Sequence, residues 1–275
     1  MVVSDQLNHR SIIDAIRLAN LPKENRAIFK HLDFVNLEEI IKKAMGNFER
    51  IVIVSDGVFS MIGELQDLAK LQILSKRYDE QFKHGIMTII DDAHGVGAVG
   101  QKGRGVEEVF HAQADVLIGT FGKAFGCDGG YVVANQTIID YLRESAATYI
   151  YSNSIPPASA GAALAAVKLL DTPEGKQILI QLKINIEYFK TKAKKAKLPF
   201  AADSQHPVQP ILIGDTLKTK KAVQQLFKQG YLTTAIGYPV VPAGRDEIRI
   251  QINANHTNQS INRLIDGLSQ TLNGL

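Results

Sequence analysis

Only one cysteine, Cys127, occurs in 275 residues. An internal disulfide framework is therefore excluded, and the chain suits a reducing compartment. Charge of one sign is not in excess either: 31 Lys and Arg against 28 Asp and Glu leave a formal +3. That bias is too small to draw a nucleic acid or an acidic membrane surface. No apolar run approaches the roughly 20 residues that a bilayer span requires. The opening MVVSDQLNHRS has neither the basic nor the apolar region of a secretory signal. The expected setting is cytoplasmic, although a mitochondrial destination for a longer precursor stays open. No repeat and no Pro/Gly/Ser-rich linker separates independent modules. What is present, 45% hydrophobic and 21% charged residues, is the balance of a globular protein with an ample core.

Short apolar runs alternate with helix-like stretches. Ile51–Val54, Ile86–Ile90, Val116–Ile118 and Tyr131–Val133 are runs without polar alternation. Such runs suit strands buried on both faces, hence a parallel sheet covered by helices. Asn36 looks like the cap of a helix running to Ala44, with early acids Glu38 and Glu39. Asp67–Tyr78 reads as a second helix with an apolar stripe of Leu68, Leu71, Ile73 and Leu74. Ile138–Ser145 reads as a third, and Pro156-Pro157 opens an Ala-rich helix, Ala158–Leu170. Beyond Asp171-Thr172-Pro173 the pattern changes. Glu174–Lys197 reads as a Lys-rich surface helix. A strand (Val208–Ile213), a helix (Lys218–Gln229), a strand (Glu247–Ile252) and a final helix (Gln259–Leu272) follow. The boundary expected near residue 171 divides the chain into 1–170, an α/β large domain, and 171–275, a smaller α+β domain.

In an open parallel sheet, ligands collect at the carboxyl ends of the strands. Three of those ends carry chemistry: Asp56-Gly57-Val58-Phe59-Ser60, Asp91-Asp92-Ala93-His94-Gly95 and Thr120-Phe121-Gly122-Lys123. A lysine between Gly122 and Gly126 at a strand end is unlike a surface lysine and can offer its amine to an aldehyde from a sheltered place. A carboxylate on a neighbouring strand is what a pyridinium nitrogen needs to keep its proton. Taken singly, each residue has a plainer explanation. Asp91 caps a turn, His94 is a structural hydrogen bonder and Lys123 is solvated. Their joint occurrence on successive strand ends argues against that. Gly95-Val96-Gly97-Ala98-Val99-Gly100 matches the dinucleotide pattern G-x-G-x-x-G literally. That pattern must join a strand directly to a helix, whereas here Asp91–His94 intervenes and Gln101–Gly105 cannot start a regular helix. A glycine loop shaping the site is the better reading. No metal-ligand spacing stands out.

The segments Asp56–Gly63 (DGVFSMIG), Asp91–Gly95 (DDAHG), Gly119–Gly126 (GTFGKAFG) and Tyr151–Pro157 (YSNSIPP) resemble the α-oxoamine synthases, pyridoxal-phosphate enzymes of aminotransferase fold type I. The resemblance covers almost the whole chain. Asp5–Asp14 (DQLNHRSIID) and Tyr238–Thr257 (YPVVPAGRDEIRIQINANHT) are most similar to glycine C-acetyltransferases. Activities of 8-amino-7-oxononanoate synthase or serine palmitoyltransferase type, or an inactive remnant or subunit, are the alternatives. The implied reaction joins a small amino acid to an acyl-CoA, glycine and acetyl-CoA being the first expectation, in a homodimer with shared active sites.

The resemblance implies that Lys123 binds pyridoxal phosphate covalently and acts as base, that Asp91 partners the pyridine nitrogen, and that His94 hydrogen-bonds the ring's phenolic oxygen. It implies further that His9 stacks on the ring, that Ser60 lies beside cofactor and substrate, and that Thr120 meets the phosphate. Ser152 and Asn153 would reach the phosphate bound by the partner subunit. Arg249 would pair with the substrate carboxylate through its two-pronged guanidinium. Three departures stand out. Ile62 replaces an acid, and Gly126–Gly130 is one residue short and contains Asp128. The resemblance also implies about 100 further residues ahead of Val2, including the helix N-terminus that grips the phosphate in the family, so the large domain is expected to be N-terminally truncated.

Overall fold

The computed structural model describes all 275 residues as two compact units. The first comprises Met1–Phe59 and Leu65–Thr172, and the second Ser60–Glu64 and Pro173–Leu275.

The first unit contains strands β1 (Val2–Asp5), β2 (Arg26–Phe29) and β3 (Ile51–Asp56), then β4 (Val58–Phe59), which pairs with β5 (Glu64–Leu65), a strand whose first residue is counted with the second unit. Strands β6 (Ile86–Asp91), β7 (Val116–Thr120) and β8 (Gly130–Ala134) complete it. Six of them form one sheet in the order β2-β1-β3-β6-β7-β8. The first five run parallel and β8 runs antiparallel to β7. Helices α1 (Arg10–Leu18), α2 (Phe34–Ala44), α3 (Leu68–Tyr78), α4 (Val106–Phe110), α5 (Gln136–Ser145), α6 (Ala147–Ile150) and α7 (Pro157–Leu170) connect and follow the strands. Val3, Phe29, Leu37, Ile41, Ile53, Leu71 and Ile90 make the core between the sheet and helices α2 and α3. Since β3, β6 and β7 are neighbours and parallel, their three carboxyl ends open side by side.

Several expectations are corrected here. The cap of α2 is Asp33, whose carboxylate accepts the Asn36 amide at 2.9 Å, and Asn36 instead accepts from the Lys30 amide. The acids Glu38 and Glu39 that suggested a start at Asn36 lie in the second turn. Ile73 is 60% exposed and does not belong to the α3 stripe; its neighbours Leu71 and Leu74 face the core a fraction of a turn away. β8 is an antiparallel edge strand with Val132 and Val133 exposed, so its apolar run does not mean burial on both faces. Strands β1 and β2 and helix α1 are too short and too polar to stand out in the sequence.

The second unit holds α8 (Pro173–Lys195), β9 (Val208–Leu212), α9 (Thr216–Lys228), β10 (Thr234–Ile236), β11 (Glu247–Gln251) and α10 (Asn258–Asn273). Its three strands form an antiparallel sheet in the order β10-β11-β9. Ile186 and Phe189 of α8 pack with Ile211, Leu226, Ile248, Ile265 and Leu268. The Lys-rich helix is thus only half solvated: Lys176, Lys183, Lys194 and Lys195 face water, while the other side lines a core and carries the buried Lys190, paired with Asp203 at 2.9 Å. No helix is long and apolar enough to cross a membrane.

Candidate active site

The carboxyl end of β1 runs into Asn8-His9, and this segment is sewn to β3. The buried Asn8 side chain donates to the Val54 carbonyl at 2.8 Å and to Ser4 Oγ at 2.9 Å, and it accepts the Asp56 amide at 2.8 Å. The His9 amide in turn donates to Asp56 Oδ2 at 2.5 Å. His9 caps α1, its Nδ1 accepting the Ser11 amide at 3.2 Å with Ser11 Oγ at 2.8 Å. The ring itself is exposed. Asp5, at the end of β1, is fully engaged: it accepts the amides of Leu7 and Leu32 and lies 2.9 Å from His31 Nδ1.

One strand over, Asp91 is the direct register partner of Asp56 across the β3–β6 pair. Its Oδ1 accepts only the Ala93 amide, at 3.1 Å, which leaves acceptor capacity at the mouth of the strand ends. Asp92 turns the other way and is completely buried. His94 follows in the turn, half-buried. Gly95–Gly100 then forms part of an irregular loop that reaches α4 only at Val106, with a single bridge between Val96 and Arg104. The loop does not start a helix, in keeping with the rejection of a dinucleotide fingerprint.

At the end of β7 the chain makes a closed loop. Phe121 and Gly129 bond across its neck at 2.9 Å, Cys127 donates to Phe121 at 3.0 Å, and Gly126 donates to the Lys123 carbonyl at 3.1 Å. The Phe121 ring is braced against Phe125 and Tyr131, with centroids 5.7 and 5.2 Å away. Lys123 therefore rides on a constrained tip. It is exposed rather than sheltered, because nothing in the chain packs over that tip. Glycine loop and lysine loop touch closely: a Cβ at Gly97 would come within 2.7 Å of the Ala124 methyl. Thr120 Oγ1 donates to the Gly129 carbonyl and accepts the Gly122 amide, both at 3.1 Å.

The remaining expected residues are scattered. Ser152 and Asn153 are exposed between α6 and α7, with Ser152 Oγ donating to the Thr148 carbonyl. Ser60 belongs with the second unit. Arg249 is there too, half-buried in the central strand β11 opposite Thr234 and Pro210. Its guanidinium donates to Gln251 Oε1 at 3.3 Å and pairs with neither Glu247 nor Asp246. Glu247 is buried, and burial pushes its carboxyl up to about 7, against the pull of Arg245 and Arg249.

Within the first unit the structure brings together His9, Asp56, Asp91, His94, Thr120 and Lys123 at adjoining strand ends. Asp56 reports the shared electrostatics. Burial pushes its carboxyl up to about 7, the His9 amide opposes this, Asp91 and Asp5 add to it, and Lys123 counters. Asp56, Asn8 and Asp92 were not singled out as site residues. The signal for Asp56 was its place at the foot of an apolar run, the same signal that marked Asp91. For pyridoxal phosphate the ring end fits: a carboxylate with free acceptor capacity and a primary amine lie on adjoining loops. The phosphate end offers fewer groups, since Thr120 already spends its hydroxyl within its own loop. A separate cleft of about 940 Å³, lined by Gln72, Lys76, Arg104, Glu107 and His111 among others, holds none of these residues.

A mostly parallel sheet closed by one antiparallel strand, with acid, imidazole and lysine at neighbouring carboxyl ends, defines a fold-type I, aminotransferase-like protein. The chain belongs to the aminotransferase class I and II family, which matches residues 1–268, and within it to the α-oxoamine synthases, which are pyridoxal-phosphate-dependent. It is 36% identical over 267 residues to an 8-amino-7-oxononanoate synthase of Treponema denticola, covering 96% of this chain and 65% of the relative. An 8-amino-7-oxononanoate synthase of Thermosipho melanesiensis is 38% identical over 262 residues, with 94% and 64% covered. The chain thus spans just under two thirds of the length of these relatives. Among solved structures, SPT with PLP superposes with a TM-score of 0.89 at 25% identity, covering 99% of this chain and 66% of the other. The 8-amino-7-oxononanoate synthase of Francisella tularensis gives 0.80 at 25% identity, covering 99% and 75%.

Proposed function

We propose that this chain carries the cofactor-binding strand ends and the small domain of a pyridoxal-phosphate-dependent C-acyltransferase, condensing a small amino acid with an acyl-CoA thioester. The observation that carries the reading is the meeting of Asp91, His94 and Lys123 on adjoining strand-end loops. When bound, pyridoxal phosphate supplies an aldehyde for amines and a ring that draws electrons away from an amino acid's α-carbon. Asp91, with acceptor capacity to spare, holds the proton on the ring nitrogen. Lys123 would supply the amine that holds the cofactor and, once the substrate's amine has taken its place, would accept the α-proton at the freed Nζ. His94 donates toward the ring oxygen, His9 covers the ring and Thr120 meets the phosphate. Ser152 and Asn153 serve the partner's phosphate in a homodimer, while Ser60 and Arg249 meet the amino acid.

The relatives named above favour an 8-amino-7-oxononanoate synthase type of reaction over the glycine C-acetyltransferase type that the Asn8-His9 and Arg249 segments first suggested. A second reading, a chain idle without further polypeptide, draws support from the exposed apolar side chains of β8, α5 and α6. The test is chemical. The protein is incubated with pyridoxal phosphate, reduced with borohydride and mapped by peptide mass. A pyridoxyl group on Lys123, absent from Lys123→Ala, is expected; no adduct on Lys123 overturns the reading. Growth of strains lacking either synthase, restored by this gene, then separates the two reaction types.

A further inference from the structure

Asp92 is the one fully buried carboxyl of the Asp91–His94 turn, and it is not used by the chemistry proposed above. Its amide donates to the Ile118 carbonyl of β7 at 2.9 Å, and its own carbonyl accepts the amides of Gly95 and Val96 at 3.0 Å. Its Oδ2 accepts the amide of Val106, the first residue of α4, at 2.8 Å. Three glycines close around the carboxyl: a Cβ at Gly57, Gly95 or Gly105 would collide with its oxygens. The side chain is thus a peg seated where the ends of β3, β6 and the glycine loop converge. Asp91 precedes it and His94 follows two residues on.

We infer that Asp92 is a positioning residue, its carboxyl pinning the Asp91–His94 turn and the Gly95–Gly105 loop to the start of α4. The link to cofactor binding rests on the function proposed above; the pinning of the loop does not. The form that fits the socket is the neutral one. Oδ1 is buried without a partner, and burial pushes the carboxyl up to about 8. Asp91 on β6 and Glu107 on α4 push the same way, and the Val106 and Gly95 amides oppose them. The Tyr131 phenol on β8 also faces this group, its own ionisation held back by burial and then by Asp92 and Glu107. A second fixed anion beside Asp91 is therefore avoided near neutral pH, while the hydrogen bond to Val106 is kept.

Asparagine reproduces the shape and the acceptor without the charge. Hydrogen exchange of the full chain and pyridoxal-phosphate titration are compared for wild type, Asp92→Asn and Asp92→Ala. Asp92→Asn is expected to keep both the protection of residues 95–106 and the cofactor affinity at pH 7. Asp92→Ala is expected to lose about tenfold in each, as a deleted buried hydrogen bond to backbone predicts. At pH 9 wild type is expected to lose protection in 95–106 that Asp92→Asn retains. Equal behaviour of Asp92→Ala and wild type, or a loss in Asp92→Asn matching Asp92→Ala, overturns the inference. Should Asp92→Ala not fold, the comparison of wild type and Asp92→Asn at the two pH values decides alone, identical protection overturning it. A wild type that takes up no cofactor but shows the expected exchange pattern sinks the functional reading and leaves the peg standing.

Discussion

Asp56 and Asp91 stand opposite each other in register at the carboxyl ends of β3 and β6, yet they are held differently. Asp91 keeps acceptor capacity at the mouth of the site, whereas Asp56 is buried and spends Oδ2 on the His9 amide. Asp56 therefore ties the start of α1 to the end of β3, while Asp91 keeps a free acceptor at the strand mouth.

That division makes stability depend on pH with a definite sign. The folded Asp56 carboxyl, pushed up to about 7 chiefly by burial, keeps a proton that the unfolded chain releases near the ordinary carboxylate value. Between about pH 4 and pH 7 the folded state binds more protons, so Asp56 makes stability fall as pH rises through that window. Asp56→Asn still accepts the His9 amide but removes this penalty, which linkage caps at about 4 kcal/mol. Urea unfolding at pH 5 and pH 8 should show the variant's curve flatter than wild type. Parallel curves would mean that the carboxyl is not burdened by burial.

In the second unit, the buried Asn185 of α8 gathers three carbonyls. Its amide nitrogen lies 2.9, 3.1 and 2.8 Å from the carbonyl oxygens of Asn253, Ala254 and His256. This ties the turn between β11 and α10 to the long helix. Asn185→Ala strips donors from partly buried carbonyls and should destabilise by about 1–2 kcal/mol. Asn185→Asp is expected to be worse, because it faces the same carbonyls with an acceptor and a buried charge. Thermal melts of both variants rank them, and an aspartate variant as stable as the alanine one would refute the donor role.

The parts of this fold that were legible in the sequence share a physical reason. Strands β3, β6 and β7 are buried runs, so their side chains announce them, and the acids, imidazole and lysine following them mark one end of the sheet. Asp67 caps α3 at the start the sequence suggests, whereas the caps Asp215 and Thr257 lie ahead of the expected starts at Lys218 and Gln259. What was illegible is set by pairing rather than by pattern. β1 reads as Val-Val-Ser-Asp and β2 as Arg-Ala-Ile-Phe, and neither declares itself until β1 is found between β2 and β3. Likewise the exposure of Lys123 depends on what lies above its loop, which no local residue encodes. Glu247 alternates with Ile248 and Ile250, a pattern that suits an exposed polar face, but β11 is the central strand of its sheet and Glu247 is buried.

The edge of the large sheet should govern association. β8 leaves Val133 53% exposed, and the helices that follow leave Tyr141 at 70% and Tyr149 at 62%. An edge strand with free backbone groups and apolar side chains is a template for pairing. Val133→Lys combined with Tyr141→Gln is expected to lower the concentration-dependent mass in light scattering without shifting the melting temperature by more than a few degrees. An unchanged mass would place the sticky surface elsewhere.

Arg249 separates a clamp from a strut. Its visible bond inside the chain is a single long one, 3.3 Å to Gln251 Oε1, and burial lowers its affinity for protons with only Glu247 offsetting this. A half-buried guanidinium with most of its five donors unspent fits a carboxylate ligand better than a structural role. Lysine keeps the charge but presents a point donor in place of a planar fork. Losing one long, partly solvated bond costs about 1 kcal/mol or less, so Arg249→Lys should melt within a few degrees of wild type. On the reading proposed here, the same variant should bind amino acids at least about tenfold more weakly, the equivalent of one two-pronged, charge-assisted contact. Pyridoxal-phosphate binding and the Lys123 adduct should be unchanged. Titrating glycine and alanine into the cofactor-loaded protein and following the cofactor's absorbance measures this directly. Equal amino-acid affinity in the two proteins, together with a lowered melting temperature in the variant, would make Arg249 a strut of the small sheet and nothing more.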